Sequence, residues 1–257
     1  MADGLFPQKG VAIVIGGSGG VGAEICRVLA RDGCDVALTY FSSEERARNA
    51  AKLVEGEGRQ AVCRRLNIED ADDVRSYVDS IAADHGGVHT LIYAAGPLVP
   101  LIHLSRIEPD LMRKHLMQDT FGFFNVVRWA LPHLRASRGS IVACQTAAHI
   151  RYASADALSV VPKAGVNAIM KGVAKEEGRF GVRANGVALG IIETGQHSEL
   201  TKLGYINDTY MKAAAKNTPL QRNGHAIDVA EAVSFLASSR AGFISGQMIC
   251  IDGGYSV

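Results

Sequence analysis

VAIVIGGSGGVGAEICRVLARDG, residues 11–33, decides the fold. An unbroken apolar run, Val11 to Ile15, leads straight into Gly16 and Gly17 and then into a helical pattern. Such a run, rich in β-branched residues, reads as a strand covered on both faces. Gly16, Gly20 and Gly22 keep a G-x-x-x-G-x-G spacing at the strand-to-helix turn. Glycines there let the backbone approach a pyrophosphate, whose charge then rests on the helix N-terminus. A tight structural turn would explain an isolated triplet equally well. Here the glycines close a strand, open a helix and precede a second strand, which favours dinucleotide binding.

The same alternation continues along the chain. Strand-like runs recur at 35–41, 60–67, 89–96, 139–146, 182–190 and 246–254. Helical stretches such as EICRVLARDG, SSEERARNAAKLVEGEG and DADDVRSYVDSIAADHG lie between them, several ending at glycine. Strand and helix in alternation predict an α/β fold: a Rossmann-like doubly wound parallel sheet of about seven strands flanked by helices. The chain has 257 residues, is 47% hydrophobic and lacks linkers, repeats or low-complexity segments, so one domain over 1–257 is expected.

Composition narrows the function. A formal net charge of +1 gives no footprint for nucleic acid or an anionic membrane. No apolar run is long enough to span a bilayer, and the N-terminus has no apolar leader. The five cysteines form no CxxC pair and have no histidine-rich surroundings, which predicts reduced thiols, a cytoplasmic location and no metal.

Taken together, these motifs resemble the short-chain dehydrogenase/reductase family over nearly the whole chain. The glycine loop IGGSGGVG, YAAG (93–96), the strand GSIVACQT, VRANGVALGIIET (182–194), PLQRNG with DVAEAVSFLAS, and SGQMICIDGG carry the likeness. Ile15 and Leu189 stand where the family usually has Thr and Pro. The resemblance implies a nicotinamide cofactor held by Gly16, Ser18, Gly20, Val21, Gly22, Tyr40, Ser42, Arg46, Asn67, Ile68, Ala95, Gly96, Lys163, Ile192 and Thr194. It also implies a homotetramer or homodimer.

The catalytic positions depart from the pattern. The family's Asn, Ser, Tyr and Lys map onto Asp119, Thr146, Ser159 and Lys163. Lys163 is expected on the nicotinamide ribose, and the tyrosine acid is missing. A serine hydroxyl is too weak an acid to replace a phenol whose pKa its neighbours lower from about 10. A bland role for Ser159 is to cap the helix that Pro162 begins, and Pro162 biases Val161 away from helix, loosening the facing of 159 and 163. Tyr152 and His149, in the preceding loop, are the other candidate acids. A carboxylate in DTxGxFN without the tyrosine resembles the 2,4-dienoyl-CoA reductase branch, where the proton goes to carbon.

For the cofactor, the residue ending the second strand matters. NAD enzymes of this architecture carry an acid there; this chain has Tyr40, with Ser42, Ser43 and Arg46 at the next helix entry. NADP(H) is therefore expected over NAD(H), although Gly19 stands where many NADP-type members carry a basic residue. Residues around 195–218 read as a helical lid, whose Lys202, Lys212 and Lys216 either meet a CoA or carrier-protein phosphate or are simply solvated. The readings left open are an NADPH-dependent reductase of an enoyl or dienoyl thioester, a ketone or 3-oxoacyl reductase with a relocated acid, and a non-catalytic subunit.

Overall fold

A computed structural model describes residues 4–257. Seven strands form one parallel sheet: β1 (Val11–Ile15), β2 (Val36–Tyr40), β3 (Ala61–Arg65), β4 (Val88–Tyr93), β5 (Ser140–Thr146), β6 (Arg183–Leu189) and β7 (Met248–Ile251). Their order is β3-β2-β1-β4-β5-β6-β7. This is the doubly wound sheet that the alternation predicts. Most strands stop short of the apolar runs, and Gly96, Gly139, Gly190 and Gly254 at the run ends lie outside the sheet. The chain starts mid-sheet, winds out to β3, then returns to β4 beside β1. That reversal opens a crevice at the C-terminal strand ends, where such sheets bind ligands.

The helices are α1 (Gly20–Arg31), α2 (Glu44–Gly56), α3 (Ala71–His85), α4 (Pro109–Leu116), α5 (Gly122–Ser137), α6 (Ala157–Glu177), α7 (Gln196–Lys202), α8 (Asp208–Lys216) and α9 (Ala226–Ala237). They cover both faces, so β1 and β4 are buried throughout. One core layer joins Ile25, Leu29, Leu38, Val229 and Val233. The other joins Tyr77, Val78, Phe123, Val127 and Met170. Local signals agree with this packing: Asp70 caps α3 by accepting from the Asp72 and Asp73 amides, and Gly86 ends it at φ 75°. Among the described residues, no helix is long and apolar enough to cross a membrane.

Two irregularities shape the site. A π-helical turn over Met117–Phe121 joins α4 to α5. Its widened backbone is bonded from the side: the Tyr93 hydroxyl donates to the carbonyl of Asp119 at 3.1 Å. The second corrects the sequence expectation for Pro162. The helix begins five residues earlier, at Ala157, and Pro162 lies inside it. Ser159 is thus in the helix interior and caps nothing. Proline removes the amide that would bond Leu158, four residues back. The Leu158 carbonyl instead meets His115 Nδ1 of α4 at 3.0 Å. Thr120 Oγ1 donates to the Pro162 carbonyl at 2.7 Å. Contacts from α4 and the π turn therefore hold the helix through its proline.

Candidate active site

The C-terminal ends of the strands open into a cavity of about 770 Å³. The glycine turn builds one wall. Gly16 sits at φ 80°, and a Cβ there would come within 2.8 Å of the Ala95 backbone. A Cβ on Gly22 would strike the Gly16 carbonyl, and one on Gly20 would strike Thr194 Oγ1. Glycine alone fits these three approaches. The N-cap of α1, Gly19, makes no side-chain cap, and Gly20, Val21 and Gly22 of the first turn line the cleft. A backbone cradle of this kind suits a dinucleotide pyrophosphate.

The wall continues along the strand ends. Thr39 accepts the Gly16 amide at 3.1 Å, steadying the turn. Tyr40 and Ser42 line the cleft beyond it. Asn67 lines it too, its Oδ1 accepting the Glu69 amide at 3.2 Å. Ile68 is fixed by Asn125 Nδ2, which donates to its carbonyl at 3.0 Å. Ser18, Val21, Ala95, Gly96 and Ile192 complete the set, with Thr194 packed against Gly20. Arg46 differs: it is exposed, in the first turn of α2, and does not line the cavity.

At the inner end the side chains of Lys163, Asp119, Thr146 and Ser159 meet, with the Tyr93 ring behind them. Lys163 Nζ donates to Asp119 Oδ1 at 2.9 Å and to the Ala95 carbonyl at 3.0 Å. It also lies 5.1 Å from the Tyr93 ring centre. Burial first, and the Asp119 charge second, push the Tyr93 phenol well up, so it stays neutral. Two Lys163 protons are committed and one remains for a ligand. Thr146 Oγ1 accepts the Ala148 amide at 3.2 Å, which leaves its own hydrogen free to donate into the cavity. Ser159 faces the same space, one turn before Lys163 on α6. The facing of 159 and 163 holds in spite of Pro162.

The two loop candidates lie elsewhere. Tyr152 is 55% exposed and does not line the cavity. Nor does His149, whose ring packs against the Lys163 backbone. Burial, then the Lys163 charge, lower the His149 pKa. Two helices, α7 and α8, occupy the span expected to be a lid, and Leu200, Ile206, Tyr210 and Met211 from this span line the cavity. Lys202 pairs with Glu199 at 3.0 Å, and Lys212 and Lys216 are exposed.

Asp156 also lines the cavity. The sequence holds one signal for it: residues 156, 159 and 163 are spaced three and four apart, which puts three polar side chains on one helical stripe. No spacing marks Tyr210 or Tyr255, which the tertiary fold brings to the same cavity. Among the described residues, no cluster of His, Cys, Asp or Glu is arranged to hold a metal ion.

A family profile described as "Enoyl-(Acyl carrier protein) reductase" matches residues 16–256. A curated relative, the 3-oxoacyl-[acyl-carrier-protein] reductase FabG of Staphylococcus aureus, is 30% identical over 244 residues, 95% of this chain and 96% of that protein. Versicolorin reductase stcU of Emericella nidulans is 29% identical over 250 residues, covering 95% and 94%. Among solved structures, a short-chain type dehydrogenase/reductase from Mycobacterium ulcerans superposes with a TM-score of 0.90 at 25% identity, covering 98% of this chain and 91% of that one.

Proposed function

The chain belongs to the short-chain dehydrogenase/reductase family, and from that premise we propose that it is an NADP(H)-dependent reductase of a conjugated enoyl or dienoyl thioester or a related carbonyl compound. The observation that carries this is the Lys163–Asp119 pair beside a position, Ser159, that offers no phenol. Reduction at a carbon conjugated to a thioester leaves an enolate, which takes its proton at carbon. Such chemistry does not require a tyrosine beside the oxygen.

The bound reduced nicotinamide supplies the hydride. The chain's residues do the rest. The glycine turn and the first-turn amides of α1 would hold the pyrophosphate. Tyr40 offers no carboxylate to repel a 2′-phosphate, and Ser42 on the cavity wall, with Arg46 outside it in the first turn of α2, would bind that phosphate. Lys163, oriented by Asp119 and the Ala95 carbonyl, would hold the ribose. Thr146 donates to the thioester oxygen and stabilises the charge that develops there. Tyr210 and Met211 cover the acyl chain and exclude water. The thioester is that of CoA or a carrier protein, and the assembly is a homotetramer or homodimer.

A second reading has its own support: the relative at 30% identity is a 3-oxoacyl-[acyl-carrier-protein] reductase. Ketone reduction needs an acid on the oxygen side, and neither Tyr152 nor His149 lines the cavity. The test is direct. The purified chain alone is incubated with NADPH and a dienoyl, an enoyl or a 3-oxoacyl thioester, and absorbance at the nicotinamide band is followed. Turnover of the conjugated thioesters with little 3-oxoacyl reduction is expected. Brisk 3-oxoacyl reduction selects the second reading. NADPH binding with no turnover of any of them overturns both and leaves a supporting subunit.

A further inference from the structure

Asp156 stands at the head of α6, the helix that carries Ser159 and Lys163. An aspartate there ordinarily accepts from an amide of the first helical turn. This one does not: its side chain caps nothing. Among the described residues its carboxyl has no hydrogen bond and no ion pair, although it lines the cavity. The residue before it, Ala155, is held at φ 64°. A left-handed conformation costs a residue with a Cβ about 1–2 kcal/mol and persists only where its surroundings impose it. Here the Ala155 carbonyl accepts the Ile102 amide at 3.0 Å, which pins the turn. A strained, pinned turn thus presents an unpartnered carboxyl to the cavity.

We propose that Asp156 is the proton donor of this site, an acid one helical turn above the place where the family carries its tyrosine. This rests on the reductase reading above and adds the residue that reading lacks. Burial pushes the Asp156 carboxyl up to about 7, so it is substantially protonated near neutrality. The other titratable groups on the cavity wall are Tyr210, Tyr255, His197, Lys163, Asp119, Tyr40, Cys144 and Glu69, the last just after β3 beside Asn67 and Ile68. Burial, then the charges of Asp156 and Tyr255, raise the Tyr210 phenol, which leaves it neutral. Asp119 Oδ1 is already committed to Lys163. Of the two carboxyls beside Lys163 and Ser159, Asp156 is therefore the one free to give a proton.

The step balances. Hydride from the reduced dinucleotide adds to the β-carbon of the conjugated thioester, and the C=C electron pair becomes that of the enolate. The Asp156 O–H bond breaks and its electron pair stays on the carboxylate. The proton forms the new C–H bond at the α-carbon. Solvent water at the cavity mouth then returns a proton to the carboxylate.

Two measurements test this, using Asp156→Asn, which keeps the side-chain shape. First, carbon-13 NMR of aspartate carboxyls is followed against pH in the protein without cofactor or substrate. A midpoint near 7 that disappears in the variant is expected. A midpoint in the ordinary carboxylate range, near 4, overturns the proposal. Second, on a thioester that the wild-type chain reduces, Asp156→Asn should lower kcat by about 10²-fold or more, the usual worth of a positioned acid, with NADPH affinity unchanged. Wild-type kcat in the variant overturns the proposal and leaves the reductase reading standing. Failure of the wild-type chain to reduce any thioester removes the reductase reading instead, and the titration alone then decides for or against Asp156 as an acid.

Discussion

Lys163 Nζ and Asp119 Oδ1 are 2.9 Å apart, with side chains only 13% and 4% exposed. One comes from the N-terminal third of α6, the other from the π turn, where the Asp119 carbonyl accepts the Tyr93 hydroxyl. A buried pair of this kind says little for net stability but is costly to break, since the survivor is left charged without a partner.

Asp119→Ala should therefore destabilise the chain by about 3–5 kcal/mol, whereas Asp119→Asn, which keeps an acceptor for Lys163, should lose about half of that or less. Urea unfolding measures both. Asp119 acts by orienting Lys163, so the alanine variant should also raise the NADPH dissociation constant, and asparagine should largely restore it. An alanine variant as stable as wild type would remove the pair from this account.

Pro162 and His115 give a non-additive prediction. His115→Ala leaves the Leu158 carbonyl without its partner, at a cost of about 1–3 kcal/mol. Pro162→Ala restores an amide that can bond the same carbonyl four residues back. In the double variant the loss of His115 should cost about 1 kcal/mol less than in the Pro162 background. Strict additivity across the four proteins in chemical denaturation would refute the partnership.

Arg46 is the uncommitted guanidinium near the end of β2: its backbone amide bonds Ser43 Oγ at 3.3 Å, and its side chain has no partner among the described residues. Arg65, by contrast, is held on the Phe41 carbonyl at 3.1 Å and over the Phe41 ring. Arg46→Glu should weaken NADPH by about 1–3 kcal/mol, the range for a charge-assisted contact, and leave NADH nearly unchanged. Fluorescence titration of both cofactors decides it; equal effects on the two would place the 2′-phosphate elsewhere.

These contacts mark where sequence reading reaches its limit. The glycine turn was legible because its geometry is local: strand, three glycines and helix are contiguous. The strands were legible because burial on both faces leaves unbroken apolar runs. Pro162 was misread because the rule that proline starts or stops a helix is local, while the group that overrides it, His115, lies 43 residues from Leu158. Tyr152 and His149 drew attention as loop residues near the site, but a loop's direction depends on what it packs against. The role of Asp156 is hidden in the sequence for the opposite reason. An aspartate before a helix looks like a cap, and only the fold shows a side chain that caps nothing and faces a cavity.

That uncapped carboxyl also sets a pH dependence of stability. Its pKa in the folded chain is about 7, and unfolding returns it to the ordinary carboxylate value near 4. Between these values the folded chain holds a proton that the unfolded chain has released. Stability then falls as pH rises, because the native state binds more protons. The favourable contribution is complete below about pH 4 and lost once pH passes the folded-state value. Each unit of difference is worth about 1.4 kcal/mol, so the loss between pH 4 and pH 8 is on the order of 1–4 kcal/mol. Asp156→Asn carries no charge at any of these pH values. It should match wild type near pH 4–5 and exceed it at pH 8 by that margin, and thermal or urea unfolding at the two pH values measures the crossover. If Asp156 instead capped α6, the carboxylate form would be the stabilising one, and the asparagine variant would gain nothing at pH 8.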